Sequence, residues 1–154
     1  MRRRRFLAGI AGAGAAGAGG VYALTSMQSN GESGTYEPLG SVALDGTREL
    51  VTGADGSTAF LAVDDGIATV DCSIPSDPTV LAERRELLAD DPDGPLGLVW
   101  DVSLDGDRLL AAGPAQRVPG SDLQAALLFD VGDPADPRLL DAYRTEYPIH
   151  NCYF

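Results

Sequence analysis

The only histidine, His150, stands in "IHNCYF" at 149–154, followed by Asn151 and Cys152. Laying the chain over itself at an offset of fifty places "VWDVS" at 99–103 on "IHNCY" at 149–153, so that Trp100 and Asp101 occupy the places of His150 and Asn151. These four residues are the candidate site. A repeated histidine at such a place could line a metal or ligand centre. A single histidine matched by a tryptophan cannot build that ring, and a structural hydrogen bond between repeats is the plainer role. Count alone excludes neither a Ser-His-Asp nor a Cys-His pairing. Ser73 and Ser103 do not stand in G-x-S-x-G, so nothing supports a hydrolase elbow and no catalytic residue is expected. C-x-x-C is absent and no Cys/His cluster has metal spacing, so no metal centre is expected either. Acidic loops at 89–95, "ADDPDGP", and 105–107, "DGD", are read first as solvated surface. A calcium loop needs alternate acids in register, which Pro92 and Asp93-Gly94 fit only in part, so Ca²⁺ binding there would be weak and no cofactor is expected. G-x-G-x-x-G occurs at Gly12, Gly14 and Gly17, yet no strand precedes it and arginines flank it, which argues against a dinucleotide loop.

The elements that position these residues are short and repeated. At an offset of 59, Asp71, Pro75, Asp77 and Pro78 fall on Asp130, Pro134, Asp136 and Pro137, while at 50 Asp55-Gly56 falls on Asp105-Gly106. The difference between the offsets is an insertion, placed at "PAQRVPGSD", 114–122. Each unit divides into four β-type runs, in the fuller unit "VWDVSL", "RLLAAG", "AALLFDV" and "RLLDAYR". Asp-Gly between the first two runs is a tight-hairpin signal. Proline has no amide hydrogen for a sheet ladder, so the double prolines end strand pairing and stiffen the turn before an outermost strand. Asp133 and Asp136 can bond nearby amides in that turn.

Repeats of four strands near fifty residues are those of a β-propeller. "FLAVDDGIATVDCSIPSDPTVL" at 60–81 and "LLFDVGDPADPRLL" at 127–140 resemble the LVIVD repeat, a propeller family whose inner-strand phrase begins His-Asp/Asn-Val. That phrase appears as His150-Asn151-Cys152 and, altered, as Trp100-Asp101-Val102; the first unit lacks it. The resemblance covers 37–154. It implies an all-β chain: a partial propeller of about two four-stranded antiparallel blades plus the first strand of a third, with His150 by the central channel. Leu50-Val51, Trp100-Asp101 and His150-Asn151 are expected to begin successive innermost strands. "EPLGSVAL" at 37–44 resembles a lone outer strand, and "LAERRELLADD" at 81–91 could form one surface helical turn instead of the first unit's outer strand. A propeller closes with about four to eight blades, so a truncated chain is expected, with edges open to self-association. Cys72 is placed on a third strand and Cys152 on an innermost strand two blades on. Their Cα atoms should then lie beyond the ~7 Å that a bridge tolerates, leaving two separate buried thiols.

Composition narrows the function class. Net charge is −12 without a single lysine, and 17 of the 23 acids are aspartate. Such a surface keeps a protein hydrated in concentrated salt, pointing to a halophilic source, and it repels phosphate backbones, so no nucleic-acid partner is expected. At the N-terminus, Arg3, Arg4, Phe6 and Leu7 fit the twin-arginine export pattern, read by the export machinery, over 1–23, ahead of a polar linker at 24–36. Few strongly apolar residues lie between Phe6 and Leu24, which makes a spanning anchor the poorer reading. The combined expectation is an exported, non-catalytic propeller module that binds a protein or small ligand at the cell surface. The alternative is the N-terminal fragment of a propeller enzyme whose catalytic residues lie in missing blades, because a fold alone does not decide an activity.

Overall fold

The computed structural model describes residues 37–154; the expected export signal and linker lie outside the described residues. Eight strands form two four-stranded antiparallel sheets, and among the described residues there is no helix. The first sheet runs β1 (Thr47–Thr52), β2 (Thr58–Val63), β3 (Gly66–Asp71), β4 (Thr79–Arg84) in order, and the second β5 (Asp101–Asp105), β6 (Arg108–Gly113), β7 (Ala125–Asp130), β8 (Arg138–Arg144). The middle strands of each sheet carry the aliphatic runs; those of the first sheet are buried on both faces, those of the second fully on one.

The repeat extends to single hydrogen bonds. Asp71 Oδ1 accepts the Ser73 amide at 2.8 Å, and 59 residues on Asp130 Oδ1 accepts the Gly132 amide at 3.0 Å. Asp77 N donates to the Ile74 carbonyl, and Asp136 N to that of Asp133. Cys72 N donates to Ser57 O, and Val131 N to Asp107 O. Bulges recur at Thr69/Val70 and Leu128/Phe129. The insertion lies between β6 and β7, where residues 114–124 replace the two-residue turn Asp64-Asp65.

Paired residues share a face, so register sorts the side chains. One face of the first sheet carries Phe60, Ala62, Ile67 and Thr69, and packs on the second sheet's Val102, Leu109, Ala111, Leu127 and Phe129. The opposite face, with Ala59, Leu61, Val63, Ala68 and Val70, meets Leu44 of the segment before β1. Polar contacts lock the sheets together: Thr69 Oγ1 donates to the Pro134 carbonyl at 2.6 Å, while Arg84 reaches Asp136 at 2.8 Å and the Pro137 carbonyl at 3.3 Å. The double-proline turn is therefore also a surface on which the neighbouring sheet docks.

Several expectations need correction. Leu50-Val51 does not begin its strand; β1 starts at Thr47. Six residues separate the pair Thr52–Ala59 but only four separate Leu104–Leu109, so the first hairpin is longer and the β1-to-β5 offset is 52. His150-Asn151 begins no strand, because past β8 no second strand pairs with the segment and its amides find other partners. Cys72 follows β3 by one residue, and Cys152 sits in that same unpaired segment; both are free thiols. Residues 37–46 form no strand, and 81–91 holds the end of β4 followed by turns rather than a helical turn.

Candidate functional site

Carried one residue past Glu49, the offset of 52 sets Trp100 against Arg48, the bulge residue of β1, and Arg48, Trp100 and His150 meet. The Arg48 guanidinium lies 5.1 Å from the Trp100 ring centroid, within cation–π range. Trp100 also lies beside His150, with ring centroids 5.5 Å apart and planes tilted by 59°. The indole Nε1–H donates to His150 Nε2 at 3.1 Å. An indole only donates, so Nε2 accepts and the imidazole proton sits on Nδ1, facing the Asn151 side-chain oxygen. Asn151 Nδ2 donates in turn to the Tyr153 hydroxyl at 3.1 Å. Arg48 is fixed from behind by Asp64 at 2.6 Å.

Backbone contacts set this row in place. Where the chain passes into the second unit, Val99 N donates to the Asp64 carbonyl at 2.6 Å; fifty residues on, Ile149 N donates to the Pro114 carbonyl at 2.9 Å. Trp100 N donates to Ala112 O at 2.8 Å. Gly113 allows this approach, for a Cβ there would collide with the Leu98 carbonyl and stand 3.2 Å from Trp100 N.

Asp101 has a different task from its neighbour. Its Oδ2 accepts the Cys152 amide at 2.7 Å, while the Cys152 thiol sits against the carbonyls of Asp101 and Leu110 at 3.8 and 3.9 Å. Burial, the Asp101 charge and its hydrogen bond push the Cys152 thiol up to about 12. Such a thiol is neutral at ordinary pH and is a poor nucleophile or metal ligand. Both imidazole nitrogens face Trp100 and Asn151, and the thiol faces backbone carbonyls. The arrangement groups a cation, an indole and an imidazole whose ring nitrogens are already engaged, so a partner would meet ring faces and the remaining guanidinium N–H groups.

The structure thus brings Trp100, Asp101, His150 and Asn151 together, while Arg3, Arg4, Phe6 and Leu7 lie outside the described residues. Arg48 escaped the sequence reading, because the longer first hairpin and the bulge at Arg48 shift it out of the fifty-residue match. In the acidic loop, Asp91 and Asp93 both bond Arg144, Asp93 at 2.9 Å. Among the described residues no three His, Cys, Asp or Glu side chains converge as a metal site would require. No protein-family model matches the chain, and no curated protein matches it either.

Proposed function

We propose that the chain is an exported, non-catalytic β-propeller repeat module that binds a protein or small ligand at the cell surface. The two sheets are consecutive blades, related by the repeat and packed face on face, and a propeller closes with about four to eight of them. The observation that carries the reading is the row Arg48–Trp100–His150. Its members hold matched places ahead of or early in successive innermost segments, the position that rims a propeller's central channel. The likeness to LVIVD repeats supports both the blade assignment and that rim, and the twin-arginine pattern of Arg3 and Arg4 supports export.

The test places a photo-crosslinking residue at Tyr153, beside the row, or at the exposed Leu39 as control, in protein added to intact cells. Adducts recovered from position 153 that vanish with Trp100→Ala are the expected result. Equal adducts from both positions, or none, would overturn the binding role. Replacing Arg3 and Arg4 by lysine should block secretion; unchanged secretion sinks the export assignment.

A further inference from the structure

We infer that the outer face of the second sheet is a docking surface for a third four-stranded unit of the same repeat, an inference that rests on the blade reading above. Register puts Leu110, Ala112, Ala126, Leu128 and Tyr143 on that face. At the repeat offsets, Leu110, Ala112, Ala126 and Leu128 stand where Phe60, Ala62, Ile67 and Thr69 stand in the first sheet. Those four residues are buried, and their face packs on the second sheet. On the second sheet, Leu110, Ala126 and Leu128 are half-buried and Tyr143 is 73% exposed. The two ends of the pair are therefore unlike: Leu44 packs on the far face of the first sheet, whereas this one is partly open.

The occupant is specified by how the chain leaves β8. Ile149 repeats the backbone bond of Val99, and Cys152 holds the place of Val102. Val102 packs in the core between the two sheets; Cys152 is 8% exposed and lies against Leu110. The segment from Thr145 to Cys152 thus already takes the first position of a unit whose remaining strands would cover Leu110, Ala126 and Leu128. The partner must present the aliphatic face that the second sheet presents to the first, the Leu109, Ala111, Leu127 and Phe129 pattern.

The new interface differs from the existing one in two places. Thr69, which bonds the Pro134 carbonyl, becomes Leu128, and Arg84, which pairs with Asp136, becomes Tyr143. An incoming double-proline turn therefore meets carbon and a phenol in place of a hydroxyl and a guanidinium. The partner's turn is accordingly less acidic than Asp133–Asp136 and turns no bare carbonyl toward Leu128.

A tandem chain tests this, made of residues 1–148 followed directly by 99–154, which offers the second unit as its own neighbour. The expected result is a monomer with one cooperative transition and a Tm above that of the original chain by about 2 °C or more. Leu128→Glu in the first copy of the unit should erase that rise, measured against the same substitution in the original chain. Leu128→Thr with Tyr143→Arg, which restores the partners of the double-proline turn, should raise Tm in the tandem chain and not in the original. A separately melting added unit, or a rise indifferent to Leu128→Glu, overturns the proposal. The crosslinking result at Tyr153 is independent of it, so a docked third unit without surface adducts would remove the binding role and leave this face assigned.

Discussion

At the scale of the residue, Cys152 and its neighbours make the firmest statements. Burial first, then the Asp101 charge, push its thiol from the ordinary 9.0 up to about 12, so the folded state favours the protonated form. That contribution is whole below pH 9 and is lost as pH rises toward 12. Native protein treated with iodoacetamide at pH 8.5 should label the half-buried Cys72 and spare Cys152, with both labelled in denaturant; mass spectrometry reads the outcome. Asp101→Asn leaves the burial that chiefly raises the thiol but removes the added charge, and should modestly speed Cys152 labelling at pH 9. Equal native labelling of the two would show that Cys152 is not held as described. His150, Trp100, Asp101 and Asn151 were legible because a repeat copies positions, and a matched position is visible without coordinates. The Arg48 contribution was hidden by two extra residues in one hairpin. No sequence pattern tells an indole that donates to an imidazole from one that only packs nearby.

At the scale of the element, the chain depends on turns that end strands and on close backbone approaches. Gly113→Ala would drive a methyl group into the Leu98 carbonyl where Trp100 enters, and should cost about 2 kcal/mol in denaturant unfolding. It should also change the emission of Trp100, the chain's only tryptophan. Undiminished stability would mean that the two backbones separate without penalty. The β3–β4 and β7–β8 turns add an acid dependence. Hydrogen bonds from the Ser73 side chain and amide hold the Asp71 carboxyl below its ordinary value, and the Arg138 hydrogen bond does the same for Asp136. Depressed carboxyls stabilise the folded state above the unfolded value of 3.8, and the gain is lost as pH falls through the folded values. Tm should hold from pH 6 to 5 and drop below about pH 4, less steeply in Asp71→Asn with Asp136→Asn. Strands β2 to β8 lie where aliphatic alternation and turn residues put them, because burial and the lack of a proline amide are local signals, whereas β1 starts three residues ahead of Leu50. The segments expected as strands at 37–44 and from His150 onward form none for one reason. A strand is defined by its partner, and an extended sequence does not say whether a partner is there.

At the scale of the whole molecule, the excess of acids should set how stability depends on salt. Six of the seven arginines in 37–154 form ion pairs, with Asp64, Asp65, Glu83, Asp91, Asp93, Asp130 or Asp136. Most of these side chains are substantially exposed, so each pair contributes little and is itself weakened by salt. The carboxylates left over repel one another across the surface, and 22 acids against seven arginines in 37–154 measure that excess. Two salt effects therefore oppose: screening loosens the pairs and relieves the repulsion. Repulsion acts between many groups at separations near the Debye length, which shrinks from about 30 Å at 0.01 M to about 3 Å at 1 M. A contact pair at about 3 Å is screened much less over that range, so relief should dominate. Tm is expected to climb steadily from 0.01 to 1 M NaCl, alike in KCl, with partial unfolding at the low end. Neutralising exposed acids that lack an arginine partner, such as Asp105→Asn with Asp107→Asn, should flatten the climb without moving the high-salt plateau. A Tm that falls with added salt would mean that the ion pairs between strands and turns, and not the unpaired aspartates, set the balance.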